Sequence, residues 1–235
     1  MKKAIFALLV LFALLALFLA AWAVTKKNDG APPSPIPVAP EKPVIYLYPP
    51  EETAVTVILD YDGVLDFAYP KYNGGWRVLA SPDGTLIDCA DGKQYSSLFW
   101  EGHGNTELDL SCGFVVAGDD TVAFLQEKLS FMGLNQDEIN EFIIYWGPRL
   151  QPNEYNLLAF QGESYTNAAK LSITPEPDSI LRIFMAYQPL LEKIEVPAQE
   201  LFPFERAGFV VIEWGGCEIA AALLPHTPHL SRPSN

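Results

Sequence analysis

The sequence predicts an α+β fold, with a largely antiparallel, sandwich-like β body and a pair of helices packed on it. Between residues 44 and 100, short runs of β-branched and aromatic residues alternate with Asp-Gly and Asn-Gly pairs, which favour tight hairpin turns. From Gly118 to Trp146, apolar residues recur at helical spacing instead. Strand-like runs return after residue 157, and the last two are apolar almost throughout, which is typical of central strands covered on both faces.

The expected strands are bounded by Gly, Asn, Asp and Pro. They cover residues 44–48, 54–60, 63–69, 76–80, 85–88 and 94–100, then 157–161, 171–174, 180–187 and 209–214. Because turn pairs separate most of the strands in the first half, we interpret that half as an antiparallel meander.

Two helices are expected between these groups of strands. The first covers residues 119–132, with an aspartate as its amino-terminal cap and a glycine after its last turn. The second begins at Asn135, because Glu138 three residues later completes a capping-box pattern, and Gly147-Pro148 is expected to end it. The result is an αα-hairpin over about 119–146 that docks on the sheet.

Residues 4–24 form an apolar run without a charged side chain. As a helix these 21 residues span about 31 Å, which matches the ~30 Å hydrocarbon core of a bilayer. We therefore expect residues 1–27 to be a transmembrane anchor that binds the membrane through residues 4–24. The alternative is a signal peptide cut after Ala23, because residues 21–23 have the small-x-small pattern that signal peptidase cleaves. In that case the protein is secreted.

Charge does not set the orientation of this segment. Lys2 and Lys3 precede the apolar run, and Lys26 and Lys27 follow it. We expect a single-pass protein of the cell membrane with its body outside the cytoplasm, and a cytosolic body is the alternative.

The rest of the chain divides by composition. Residues 28–43 hold six prolines, which favours an extended polyproline II stalk. Residues 44–224 have the length of one α+β domain. Residues 225–235 show no periodicity, and we expect a disordered tail there.

The chain is acidic, with 29 Asp and Glu against 15 Lys and Arg and a formal net charge of −14. Nucleic acid is therefore not an expected partner, because phosphate binding depends mainly on Lys and Arg. An unknown ligand or protein of the cell envelope is expected instead.

The chain has three cysteines, too few and too widely spaced for a zinc module, and we expect no metal site and no cofactor. Outside the cytoplasm, a disulfide between Cys89 and Cys112 would stabilise the fold by about 3 kcal/mol. Cys217 would then remain buried in an apolar strand. The alternative is three reduced thiols.

Several segments together resemble a family of uncharacterised bacterial proteins that are exported or anchored to the membrane. They are KPVIYLYP at 42–49, YPKYNGGW at 69–76, SPDGTL at 81–86, LFWEG at 98–102, the run at 113–134 and EFIIYWGPRL at 141–150. The resemblance covers most of the body and implies an extracytoplasmic domain. It brings no established activity and no catalytic residues.

A second resemblance concerns two acidic motifs. ILDYDGVL at 58–65 is similar to the first motif of haloacid-dehalogenase-type phosphatases, which implies Asp60 as nucleophile and Asp62 as general acid. VVAGDDT resembles their metal-binding motif and contributes Asp119 and Asp120. That chemistry requires parallel strands joined by helices, whereas this region predicts hairpin turns. A strand that ends in an Asp-Gly turn is the ordinary interpretation, and a Mg²⁺-dependent phosphatase is the alternative function.

The segment 98–109 gathers more polar and aromatic groups than its neighbours do. A strand closing at Trp100 is expected to be followed by a glycine-rich loop, which makes Glu101 and His103 candidate catalytic residues. Candidate binding residues in the same segment are Trp100, Asn105, Glu107 and Asp109. Glu107 and Asp109 are expected on one strand face. We expect a membrane-tethered binding or structural module at the cell envelope; this interpretation is favoured over an enzyme, and the question of catalysis stays open.

Overall fold

The α+β class is confirmed by the computed structural model, which describes residues 41–104 and 106–219. In these ranges the chain forms twelve strands and three α-helices, and all of the described residues belong to one compact unit. The strands are β1 Glu41–Tyr48, β2 Thr53–Tyr61, β3 Gly63–Tyr69, β4 Trp76–Ala80, β5 Leu86–Asp88, β6 Gln94–Tyr95, β7 Leu98–Gly104, β8 Phe114–Ala117, β9 Tyr155–Gln161, β10 Ala169–Thr174, β11 Ser179–Leu190 and β12 Val210–Glu218. The helices are α1 Thr121–Phe131, α2 Gln136–Leu150 and α3 Glu163–Ala168, and a 3₁₀ turn at Gly118–Asp120 precedes α1.

The strands form two sheets. A seven-stranded sheet has the order β3-β7-β1-β12-β11-β9-β8, and a five-stranded sheet has the order β10-β2-β4-β5-β6. Every pair of neighbouring strands among them is antiparallel except β11 and β12, which run parallel. The sheets are therefore largely antiparallel, as the sequence predicts.

Alternation along β1 divides the core into two parts. Val44 and Tyr46 point to the side on which α1 and α2 pack, and we call the cluster there the helix-side core. Ile45 and Leu47 point to the opposite side, where the five-stranded sheet packs, and this cluster is the intersheet core. The seven-stranded sheet is thus the middle of three layers.

Fully buried tryptophans occupy both cores. Trp146 and Trp214 lie in the helix-side core, and Trp76 and Trp100 lie in the intersheet core. Truncating a buried Trp to Ala costs about 3–5 kcal/mol, so each is a major contributor to stability.

The prediction of an antiparallel meander in the first half of the chain is wrong at the turn between β2 and β3. Only Asp62 separates β2 from β3, yet the two strands belong to different sheets, so this Asp-Gly pair does not make a hairpin. The turns at 83–84 and 91–92 do join paired strands, β4 to β5 and β5 to β6. The strand expected at 94–100 is divided, because β6 completes the five-stranded sheet while β7 crosses to the seven-stranded one.

The capping box at the start of α2 is confirmed. The Glu138 N–H donates to Asn135 Oδ1 at 2.9 Å, and the Asn135 N–H donates to Glu138 Oε2 at 2.8 Å. The expected end at Gly147-Pro148 is wrong, because α2 continues through Pro148 to Leu150. Leu150 is fully buried in the helix-side core, and this packing favours the last turn.

Some expectations fall outside the described residues: the anchor at 4–24, most of the stalk and the tail at 225–235. The sequence predicts a stalk that extends to residue 43. In the structure Glu41, Lys42 and Pro43 are already part of β1. No helix in the described ranges has the length and apolar character needed to cross a membrane.

Candidate functional site

The loop expected after Trp100 is a strand. β7 continues to Gly104, so successive side chains alternate between the faces of the seven-stranded sheet. Trp100 points into the intersheet core with no exposed surface, and its indole Nε1 donates to Glu213 Oε1 at 3.3 Å. The prediction that Trp100 binds a ligand at the surface is therefore wrong. Glu101 and His103 point to the opposite side of the sheet. This is the side on which α1 and α2 pack, but the helices cover other strands of it.

Strand β3 adds side chains to the same face. Its register with β7 places Tyr69 opposite Phe99, Phe67 opposite Glu101 and Val64 opposite His103. A bulge between Leu65 and Phe67 puts Asp66 within reach of His103. We call this surface the open face, and its members are Val64, Asp66, Phe67, Phe99, Glu101 and His103. The Tyr69 ring instead meets the ring of Tyr95 in β6, with centroids 5.1 Å apart.

The helices that cover the rest of this side of the seven-stranded sheet do not reach the open face. Of its members only Phe99 packs against the helix-side core. Val64 and Phe67 are 55% and 54% exposed, which is unusual for such large apolar side chains. The Phe67 and Phe99 rings meet edge to face, with centroids 5.9 Å apart.

His103 is held in position by a carboxylate. Its Nδ1 lies 2.8 Å from Asp66 Oδ2, and both side chains are about half exposed. A carboxylate that fixes one ring nitrogen leaves the other nitrogen available to a ligand. Glu101 is half-buried on the neighbouring position of the same face. Glu101 and His103 therefore lie on one surface, but on a strand and not on the predicted loop.

A charged corner adjoins the open face. Two cations contact the ring of Tyr145: Lys42 Nζ lies 5.0 Å from its centroid and Arg149 Cζ lies 3.9 Å from it. The Tyr145 hydroxyl donates to Glu41 Oε2 at 3.1 Å. Burial and the Glu41 carboxylate raise the pKa of Tyr145 to about 12, and the charge of Glu101 acts in the same direction. We call Glu41, Lys42, Tyr145 and Arg149 the Tyr145 corner.

Lys42 is the most constrained residue of this corner. It has a φ of 50°, a left-handed conformation that non-glycine residues rarely adopt, at a register shift in β1. Its ammonium also lies 5.2 Å from the ring centroid of Trp214. Burial lowers the pKa of Lys42, Glu141 opposes the shift, and Arg149 adds to it. Within the described ranges Lys42 makes no ion pair with a carboxylate, and the two aromatic rings are the contacts that position its ammonium.

Asn105, another binding residue expected from this segment, lies outside the described residues. Glu107 and Asp109 are exposed, but they lie in an irregular segment after β7. The prediction that both project from one strand face is therefore wrong. Hydrogen bonds from the side chain and from the backbone N–H of Ser111 lower the pKa of Asp109, and Asp109 Oδ1 accepts that N–H at 2.7 Å. This carboxylate therefore stabilises a local turn.

The four aspartates of the phosphatase resemblance lie on different sheets. Asp60 and Asp62 are exposed at the end of β2 in the five-stranded sheet. Asp119 and Asp120 lie in the 3₁₀ turn that follows β8 of the seven-stranded sheet. Across the described ranges, no group of three or more His, Cys, Asp or Glu side chains is placed to hold a metal ion. The arrangement that Mg²⁺ chemistry requires is not assembled from these residues.

The disulfide expected between Cys89 and Cys112 is not formed. Cys89 is exposed after β5 of the five-stranded sheet, and Cys112 is half-buried before β8 of the seven-stranded sheet. Cys217 is buried in β12, as the sequence predicts. All three are free thiols.

The fold and these contacts define a three-layer α+β protein with one partly uncovered sheet face. No protein-family model matches the chain, and no solved structure matches it. The chain is similar to a protein of Butyrivibrio fibrisolvens described as an uncharacterized protein in the bglA 3′ region, with 47% identity over 64 residues. The match covers 26% of this chain and 65% of that protein, so the chain spans less than two thirds of its relative's length.

Proposed function

We propose that the protein is a membrane-tethered, extracytoplasmic binding module of the cell envelope, and that its ligand contacts the open face. The location rests on the apolar run at 4–24, which has the length of a bilayer-spanning helix. The resemblance to exported and membrane-anchored proteins supports the same location.

The observation that carries the proposal is the exposure of Val64 and Phe67 on one strand face. Contiguous exposed apolar side chains mark binding surfaces, because a monomer gains nothing from leaving them in water. On this face they stand beside the Glu101 carboxylate and the Asp66–His103 pair. Apolar contact area next to a few oriented polar groups is the usual composition of a binding site.

The proposal is tested with the full-length protein in detergent and the insoluble envelope fraction of the cell that makes it. Sedimentation of the protein with this fraction gives an apparent affinity. Phe67→Ala and Glu101→Gln are each expected to weaken binding at least about tenfold, because hot-spot side chains dominate such interfaces.

The matched control is Ile144→Ala, which removes a 73% exposed apolar side chain from α2. It is expected to leave the affinity unchanged. Equal binding by all four proteins, or no binding by any of them, would refute a role for the open face. Mg²⁺-dependent phosphatase turnover that Asp60→Asn abolishes would favour the enzyme interpretation instead.

A further inference from the structure

We infer that the ligand of the open face is a neutral glycan chain. The inference rests on the proposed function and names the chemical class of its ligand. Three properties of the surface lead to it: its mixture of donors and acceptors, its lack of excess positive charge and its exposed aromatic ring.

Donors and acceptors alternate over the open face and the Tyr145 corner. Glu101 and Asp66 accept hydrogen bonds, while Lys42 and Arg149 only donate them. His103 does either, according to its protonation. A hydroxyl group is both a donor and an acceptor, so a ligand with hydroxyl groups around its rim satisfies both kinds of side chain. A phosphate or carboxylate polymer would satisfy only the donors.

The local charge is negative on balance. The two cations, Lys42 and Arg149, are accompanied by four carboxylates, those of Glu41, Asp66, Glu101 and Glu141. The chain as a whole also carries a formal charge of −14, so an anionic polymer is disfavoured. A neutral ligand is not repelled by this excess of carboxylates.

The Phe67 ring offers a stacking surface. It is more than half exposed, and its edge-to-face contact with Phe99 fixes its position. One face of a pyranose ring carries C–H groups that pack against an aromatic ring, while its hydroxyl groups point outward. The apolar and polar parts of the surface therefore match the two parts of one sugar ring.

The surface favours a chain over a small molecule. A groove of about 770 Å³ lies beside β8 and a cavity of about 230 Å³ lies beside β4, and no open-face residue lines either of them. Small ligands bind in enclosed cavities that bury most of their surface. A polymer laid along β3 and β7 gains contact area from length, and does not require enclosure.

The side chains that would contact the glycan chain are already oriented. Asp66 holds His103, Glu41 holds Tyr145, and two aromatic rings hold the ammonium of Lys42. Pre-oriented side chains lose little conformational entropy when a ligand binds.

The class of ligand is tested by treating the insoluble envelope fraction before the full-length protein is added. Separate portions are digested with protease, extracted with organic solvent, or oxidised with periodate and then reduced. Periodate cleaves vicinal diols and so destroys most glycans. Binding is expected to survive the protease and the solvent, and to fall at least about tenfold after periodate.

Loss of binding after protease treatment would overturn the glycan inference in favour of a protein partner. Loss after solvent extraction would overturn it in favour of a lipid. In both cases binding to the untreated fraction still supports the proposed function. Absence of binding to the untreated fraction would refute the proposed function itself, so the two failures are distinguishable.

Two further readouts separate a glycan site from a merely apolar or charged one. Phe67→Tyr keeps the ring and is expected to bind within about threefold of wild type, whereas Phe67→Leu is expected to lose about tenfold. Raising the salt concentration from about 50 to about 500 mM is expected to change the affinity by less than about threefold. A fall of more than about tenfold would show a polyion ligand and overturn the inference. Thermal unfolding of each variant verifies that it is folded.

Discussion

Arg182 and Glu213 form an ion pair between the parallel strands β11 and β12, with Nε 2.5 Å from Oε2. The side chains are 9% and 1% exposed, so both charges lie at or inside the intersheet core. Trp100 donates to the second oxygen of Glu213, and the ring of Tyr165 covers the guanidinium with its centroid 5.0 Å away. A charge in such surroundings depends on its partner, because water does not solvate it.

Removing one member of this pair is expected to destabilise the protein strongly. Glu213→Gln leaves Arg182 charged and unpaired, and the free energy of unfolding should fall by about 3–5 kcal/mol in urea titrations. The double variant Arg182→Leu/Glu213→Leu should lose less than the sum of the single changes, since neither charge remains buried. The exposed pair Glu127–Lys128 is the control, and Glu127→Gln should cost less than about 1 kcal/mol. Additive losses would show that the two charges are not coupled.

The capping box of α2 gives a second prediction. Asn135→Ala removes the acceptor of the Glu138 N–H and should lower the free energy of unfolding by about 0.5–2 kcal/mol. Asn135→Asp keeps an acceptor at the same place and should stay close to wild type. Chemical denaturation measures both. An alanine variant as stable as the aspartate variant would contradict a role for this cap.

The three thiols should react in a fixed order with a water-soluble disulfide reagent. Exposed Cys89 should react first in the native protein, and Cys89→Ser should remove that fast phase. Cys217 should react only after unfolding, because burial raises the pKa of its thiol well above the usual range and excludes the reagent. Unfolded protein that shows one reactive thiol without reductant would instead establish a disulfide between Cys89 and Cys112.

Tyr145 should make stability fall at high pH. The pKa of Tyr145 is raised from 10.0 to about 12 in the folded chain, so the unfolded chain releases this proton first as the pH rises above about 10. Stability is therefore lost between about pH 10 and about pH 12. Tyr145→Phe removes this titration, and the stability of wild type relative to the variant should decrease over that range. A constant difference between the two proteins would contradict the raised pKa.

The sequence predicts those elements whose local signals agree with the tertiary structure. Asn135 and Glu138 are three residues apart, so their contact is local and the start of α2 is predicted correctly. The continuously apolar β11 and β12 are indeed neighbouring strands inside the seven-stranded sheet. Leu150 shows the limit, because tertiary packing extends α2 beyond Pro148, which would otherwise end it.

The open face could be predicted only in part. Glu101 and His103 are two residues apart, but they share one face only because β7 continues to Gly104, where the sequence predicts a loop. Val64 and Phe67 are three residues apart, and only the bulge in β3 brings them to the same face. The positions of Lys42 and Tyr145 beside the open face depend on the docking of α2 against β1. This docking leaves no local pattern in the sequence.

The position of β1 in the seven-stranded sheet determines when this domain completes folding. The first described strand lies between β7 and β12, and Tyr46 is in register with Ile212 near the other end of the chain. At a synthesis rate of about 5–20 residues per second, β12 follows β1 by on the order of ten seconds or more. Until then β1 lacks β12, the second of its two neighbouring strands. A chain interrupted before Val210 would leave the apolar edges of β1 and β11 uncovered, and it would aggregate.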